Sequence, residues 1–190
     1  MTIAVKTALQ EFIDAYLIEA VKTGKELPNV EFDPEWLSEC QKESVGLDGR
    51  VGWQPVRQRQ PVDFGGLENA LEVPIHPDVK EFYGSFWSGS LEATCKEGHV
   101  SLIQLWNPQD FDRLIENLIG HALAKRRLRQ PFTVFFANTE PDSEFFLSID
   151  NDTGAVLLEA PGLPPRRKVD ACLSDFINRL EPSLEPSGIH

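Results

Sequence analysis

A segment near the middle of the chain constrains the fold more than any other part of the sequence. From Phe111 to Ala122, apolar side chains recur at intervals of three and four residues, which is the spacing of one face of an α-helix. Just before it, Asn107 supplies a capping side chain, Pro108 suits the first helical position, and Asp110 places an acid in the first turn. The pattern predicts a long helix that begins near Asn107 and buries one face.

Five β-rich runs flank this helix. LEATC and HVSLIQLW come before it, separated by Lys96, Glu97 and Gly98, which is the length of a hairpin turn. FTVFFA, EFFLSID and AVLLEA come after it, and the last two are joined by the turn-forming residues NDTG. These runs predict a mostly antiparallel sheet of about five strands.

Further helices are expected at both ends of the chain and before the hairpin. The N-terminal helix has an apolar stripe from Val5 to Val21 and is followed by Gly24 and Pro28. The stretch from 26 to 61 mixes proline, glycine and charge, and it predicts only one short strand, near Arg50 to Val56. The remaining expected helices are 67–71, 79–86 after Pro77, and 169–180.

These elements predict an α+β fold with a mostly antiparallel sheet and helices packed on one face. The 190 residues are enough for one domain with a core of ordinary size and are short for two. We therefore expect a single domain over residues 1–182 and a loose C-terminal tail over 183–190.

The chain is strongly acidic, with 30 Asp and Glu against 18 Lys and Arg and a formal charge of −12. Such a charge repels nucleic acids and anionic lipids, so neither nucleic-acid binding nor direct lipid insertion is expected. The excess is concentrated between 26 and 97, where 14 acidic residues face six basic ones. This stretch is either a solubility-giving surface or a docking surface for a basic partner.

Patterns typical of catalysis, metal binding or secretion are missing. The three cysteines, Cys40, Cys95 and Cys172, are widely separated and form no C-x-x-C pair, so they are expected to be reduced core residues. Charges interrupt the apolar N-terminal stretch, which is therefore neither a signal peptide nor a membrane span. No nucleotide-binding, zinc or nucleophile motif is found, and DNDTG lacks the spacing of a calcium loop. No cofactor or metal is expected, and a cytoplasmic setting is the default.

The end of the long helix combines a histidine with a basic cluster. His121 lies at the edge of the buried stripe without a motif that would pair it with a nucleophile, which favours a structural, hydrogen-bonded role. A hydrolase using His121 and Glu116 is disfavoured, because the two lie roughly 140° apart around a helix. The cations of the last turn favour the negative end of the helix dipole; they are Lys125, Arg126, Arg127 and Arg129.

The segment DFDRLIENLIGHALAKRRLRQP, preceded by LIQLW and followed by a β-rich run, resembles the Syd family of bacterial SecY-interacting proteins. The resemblance extends from about Leu67 through IHPDVKEFYGSFWSG to the C-terminal helix. It implies a SUKH-type fold, the SecY translocon subunit as partner, and a peripheral location on the cytoplasmic side of the inner membrane, with part of the protein in the cytoplasm. It also implies an electronegative concave surface and an action against wrongly assembled translocons.

This resemblance agrees with the charge of the chain, because cytoplasmic loops of membrane proteins carry excess Lys and Arg. We expect a non-enzymatic protein that binds SecY cytoplasmic loops, with oligomeric state left open. An immunity-type or general protein-binding module with another basic partner is the alternative, and a small hydrolase is less favoured. The residues expected to form the acidic surface are Glu68, Glu72, Glu81, Glu92, Asp110 and Glu116.

Overall fold

A computed structural model describes residues 4–22 and 27–184 of the chain. Proline and capping signals begin the helices as expected: Asn107 accepts a hydrogen bond from the backbone N–H of Asp110 at 2.9 Å, and Pro108 follows it. The helices are α1 Val5–Lys22, α2 Gly65–Leu71, α3 Pro77–Tyr83, α4 Pro108–Arg127 and α5 Leu173–Asn178.

The strands form one large sheet and two small ones. They are β1 Asn29–Glu31, β2 Gln41–Val45, β3 Arg50–Trp53, β4 Val56–Arg57, β5 Phe86–Trp87, β6 Leu91–Cys95, β7 Gly98–Leu102, β8 Thr133–Asn138, β9 Phe146–Asp150, β10 Val156–Glu159, β11 Arg167–Asp170 and β12 Glu181–Pro182. The main sheet is curled and has seven strands in the order β11-β10-β9-β8-β7-β6-β12, every neighbouring pair antiparallel. The small sheet has the order β1-β3-β2, and β4 pairs with β5.

The central strand β8 joins the layers of the domain. Phe136 packs against Phe82 of α3 and Phe176 of α5, with ring centroids 5.7 Å apart in each pair. Its neighbour Phe135 meets the ring of His121 on α4, with centroids 5.8 Å apart. Because neighbouring residues of a strand point to opposite faces, α4 packs on the face of the sheet opposite to α3 and α5.

The α+β class and the mostly antiparallel sheet are confirmed, as are the first helix, the helix over Phe111–Ala122 and the hairpin. The helices do not all pack on one face as expected, because α4 lies on the face opposite to α3 and α5. The sheet has two edge strands more than the five predicted, β11 and β12. The final helix begins at Leu173 rather than Val169, because 167–170 is extended as β11. Likewise Phe86 belongs to β5 and not to α3.

The predicted boundaries at the chain ends are only partly described. The backbone N–H of Ser183 donates to the carbonyl of Glu92 at 2.9 Å, next to the pairing of β12 with β6. Residues 185–190 of the predicted tail lie outside the described residues, and so does Gly24 after α1. One cluster of buried apolar side chains runs from α1 to Leu180.

We expect Phe136→Ala to lower the free energy of unfolding by about 3–5 kcal/mol, because it leaves a cavity between β8 and two helices. Urea denaturation measures the loss. Phe32→Ala is the matched control, since its ring is 36% exposed, and it should cost less than about 1 kcal/mol. Equal losses in the two variants would contradict this placement of the core.

Candidate docking surface

A wide groove of about 840 Å³ lies between the small sheet and one face of the main sheet. Its walls come from β1 and β3 on one side and from β6, β7 and the segment after β8 on the other. Tyr16 of α1 and Leu184 also border it. A concave surface of this kind suits a loop or helix of another protein better than a small metabolite.

Contacts between tryptophan residues hold the small sheet against the rest of the domain. The ring of Trp53 on β3 packs edge-on against Trp106, with centroids 6.2 Å apart. A Cβ at position 89 would lie 2.6 Å from the Trp53 ring, so only glycine permits this approach. Trp106 also donates from its indole nitrogen to the carbonyl of Trp36 at 2.9 Å. The wall of the groove is therefore held in place.

The groove floor carries a carboxylate in a defined setting. Glu92 lies 2.8 Å from Nε2 of His99 and accepts a hydrogen bond from the Ser101 hydroxyl at 2.8 Å. Glu140 accepts from the backbone N–H of His99 at 2.9 Å. Burial, with a smaller contribution from Glu92, raises the pKa of Tyr16 to about 12. Glu92 and Glu140 thus line the groove with carboxylate oxygens, and Arg50 lines it as well.

The small sheet adds most of the acidic charge beside the groove. Residues 27–49 contain six acidic residues and one lysine, and all six acidic residues are exposed: Glu31, Asp33, Glu35, Glu39, Glu43 and Asp48. Exposed apolar side chains accompany them, above all Leu47 at the tip between β2 and β3. Sequence reasoning detected the local acidic excess, but it did not predict β1 and β2 and so could not place these residues beside a groove.

The six acidic residues expected from sequence lie on or next to four elements. Glu92 is in the groove, and Glu81 is on α3. Glu68 is on α2 and Glu72 directly follows it, while Asp110 and Glu116 are on α4, which contacts α2. Glu72 and Glu116 are exposed at the surface of these two helices. The structure therefore brings four of the six onto neighbouring helices and places Glu92 apart from them.

Three of the six also stabilise the fold. Glu68 accepts hydrogen bonds from Lys80 at 2.6 Å and from the backbone N–H of Ile75 at 2.8 Å, and the Lys80 bond holds the pKa of Glu68 below its usual value. Asp110 accepts from the backbone N–H of Trp106 at 2.9 Å. Glu81 accepts from the backbone N–H of Lys6 at 3.1 Å. Their carboxylates are less available to a partner than those of Glu72 and Glu116.

The histidine and basic cluster of α4 have mainly structural contacts. His121 is hydrogen-bonded to the Thr133 hydroxyl at 3.0 Å, which confirms the structural role predicted for it. The helix-dipole interpretation is wrong for Lys125, because its ammonium group is buried and pairs with the buried carboxylate of Glu159. The Ser148 hydroxyl donates to the second oxygen of Glu159, which satisfies this carboxylate on both sides.

Within 4–22 and 27–184, no helix is both long and apolar enough to cross a bilayer. The same residues contain no group of three potential ligands that could hold a metal ion. The cysteines are free, with Cys40 buried and the other two partly buried.

Comparisons with known proteins assign the family. The family model described as "Syd protein (SUKH-2)" matches residues 6–182. A Protein Syd of Pseudoalteromonas atlantica is 40% identical over 185 residues, which cover 96% of this chain and 98% of that protein. Those of Alteromonas mediterranea and Colwellia psychrerythraea are each 36% identical over 182 residues, covering 96% and 91% of this chain and 98% and 90% of theirs.

The chain therefore belongs to the Syd family, the SUKH-2 group. Syd proteins are SecY-interacting, membrane-associated proteins without enzymatic activity. The resemblance found in the segment around α4 is confirmed, and it extends over most of the chain.

We expect Lys125→Met to destabilise the protein by about 3–5 kcal/mol, because it leaves Glu159 buried without a counter-charge. The double variant Lys125→Met with Glu159→Met should recover most of this loss, since it removes both charges and keeps the volume. Urea denaturation of the three proteins measures both effects. A double variant as unstable as the single one would show that the ion pair is not the cause.

The pH dependence of stability should show the titration of the His121 side chain. Burial, followed by the charge of Lys125, lowers the pKa of His121 in the folded state. The unfolded state then binds more protons, so stability should fall as the pH drops below about 6.5, the usual pKa of histidine. In His121→Gln the fall between pH 7 and 5.5, followed by urea denaturation, should be shallower. Identical pH profiles for the two proteins would refute this assignment.

Proposed function

We propose that this chain binds the cytoplasmic loops of SecY through its acidic surface, at the cytoplasmic side of the inner membrane. In this role it monitors or disrupts wrongly assembled translocons. The observation that carries the proposal is the groove of a Syd-family fold that Glu92 and Glu140 line, beside a small sheet that carries six exposed acids. The proposed surface includes the six acids expected from sequence: Glu92 lines the groove, and the other five, including Glu72 and Glu116, lie outside it.

Charge complementarity supports SecY loops as the partner. Cytoplasmic loops of membrane proteins carry excess Lys and Arg, and an acidic concave surface attracts such segments while rejecting acidic ones. The field of the six exposed acids on residues 27–49 also speeds encounter with a basic partner. The exposed side chain of Leu47 and its neighbours would then add apolar contact once the loop is seated.

The geometry of the groove also supports binding of a partner without catalysis. The carboxylates of the groove are already hydrogen-bonded to His99 and Ser101, so they present a preorganised surface and not a reactive pair. A preorganised wall held by Trp53 reduces the entropy lost when a loop binds.

Co-sedimentation with inner-membrane vesicles that lack or are enriched in SecY tests the proposal. Binding should increase with SecY content and weaken steeply as salt rises from about 0.05 to 0.5 M, because surface charges are screened. Binding that is indifferent to SecY would refute the proposal, and capture by a soluble basic protein instead would favour a general protein-binding module.

Charge reversals should locate the contact. We expect Glu31→Lys with Glu43→Lys, on the small sheet, or Glu72→Lys with Glu116→Lys, on α2 and α4, to weaken SecY-dependent binding by about tenfold or more. The control is Glu11→Lys with Asp175→Lys, which changes net charge equally at exposed sites on α1 and α5. If the control weakens binding as much as both test variants, net charge and not a defined surface governs binding.

A further inference from the structure

Two segments of this acidic chain contain only basic charges. Residues 117–139 and 160–169 hold seven of the 18 Lys and Arg and none of the 30 Asp and Glu. They include the end of α4 and the start of β11, about 40 residues apart in sequence. A chain with a formal charge of −12 therefore concentrates a large share of its cations in two short stretches.

The fold brings the two segments together around one cleft of about 360 Å³. Leu128 and Gln130, just after α4, line this cleft together with Leu163 from the loop before β11. Phe145 also lines it, and the Arg166 guanidinium lies over the Phe145 ring, 5.0 Å from its centroid. Arg127 and Arg129 flank Leu128 in the sequence, so cations of both segments lie at the border of this cleft.

This surface, which we name the basic face, exposes both charge and apolar area. Leu123, Leu128 and Leu163 are 45%, 48% and 57% exposed. Its exposed cations are Arg127, Arg129, Arg166 and Lys168. Arg167 is excluded from it, because Arg167 lines a separate cavity together with Glu97 and with Phe176 of α5, on the other face of the sheet. Lys125 is excluded from it, because that side chain is buried against Glu159. Glu144 is the exposed acid that lines the cleft.

Local charge decides what such a surface attracts. At physiological salt the Debye length is about 8 Å, so distant carboxylates on the small sheet are largely screened at the basic face. Repulsion of anionic lipids by the net charge of −12 is therefore weakened at this face. Exposed leucines among cations match the boundary between headgroups and acyl chains. Binding of single-stranded nucleic acid would instead require exposed aromatic rings on which bases can stack. The Phe145 ring is covered by the Arg166 guanidinium.

We propose that the basic face contacts the anionic lipid headgroups of the bilayer, at headgroup depth and without insertion of a helix. The groove lies next to it, since Asn138 and Ser143 line both the groove and the cleft. A protein seated on lipid through the basic face would hold its acidic groove close to the membrane surface, where cytoplasmic loops emerge. The lipid contact itself is independent of SecY binding.

Flotation with SecY-free liposomes tests this contact separately from the proposed function. We expect the protein to float with vesicles of 70% phosphatidylcholine and 30% phosphatidylglycerol at about 0.05 M salt, and to dissociate at about 0.5 M. Vesicles of pure phosphatidylcholine should bind at least about tenfold more weakly. No binding to the anionic vesicles would overturn the proposal, whatever the result with SecY. Stronger binding to single-stranded RNA than to these vesicles would overturn it in favour of a nucleic-acid surface.

Matched variants distinguish the effect of the basic face on vesicle binding from the effect of net charge. Arg166→Glu with Lys168→Glu should reduce vesicle binding by about tenfold or more. The control Lys42→Glu with Arg59→Glu makes the same change in net charge at exposed residues outside the basic face. Leu163→Ala should weaken binding about two- to fivefold, through lost apolar area. Equal loss in the two charge variants, with both folded by circular dichroism, would overturn the proposal.

Discussion

The packing of β8 between two helical layers is the constraint on which the rest of the structure depends. Phe136 fills the space toward α3 and α5, while Phe135 and Thr133 meet His121 of α4 on the other face. This sandwich fixes the curl of the main sheet and the direction of α4. The groove at one end and the cleft beside α4 are both consequences of that arrangement.

The chain separates its charges on this frame. Acids are concentrated on the small sheet and around the groove, whereas the end of α4 and the segment before β11, which line one cleft, carry cations and no acids. The net charge of −12 does not describe either surface, because the charges of each surface attract or repel a partner only within about a Debye length. A protein that must approach an anionic bilayer and also attract basic loops benefits from this division.

Elements with strong local signals could be predicted from sequence. The helix over Phe111–Ala122 has a regular apolar stripe and a cap, and the hairpin has a glycine turn, so both were predicted with little error. By contrast, β2 is mostly exposed and β1 has three residues, so neither shows an apolar alternation. They form because β3 between them buries Val51 and Trp53, which is a tertiary effect. Likewise, no local pattern could show that Glu68 binds Lys80, or that Leu128 and Leu163 line one cleft.

Hydrogen exchange of the full chain tests the central claim, docking of SecY on the acidic groove, most directly. The comparison is between nanodiscs that contain SecYEG and nanodiscs of the same lipids without it. The account predicts slower exchange of backbone amides in β1, β3, β6 and β7 only when SecY is present, because these strands form the groove. Unchanged exchange in these strands, or SecY-dependent protection confined to α1 and α5, would contradict it.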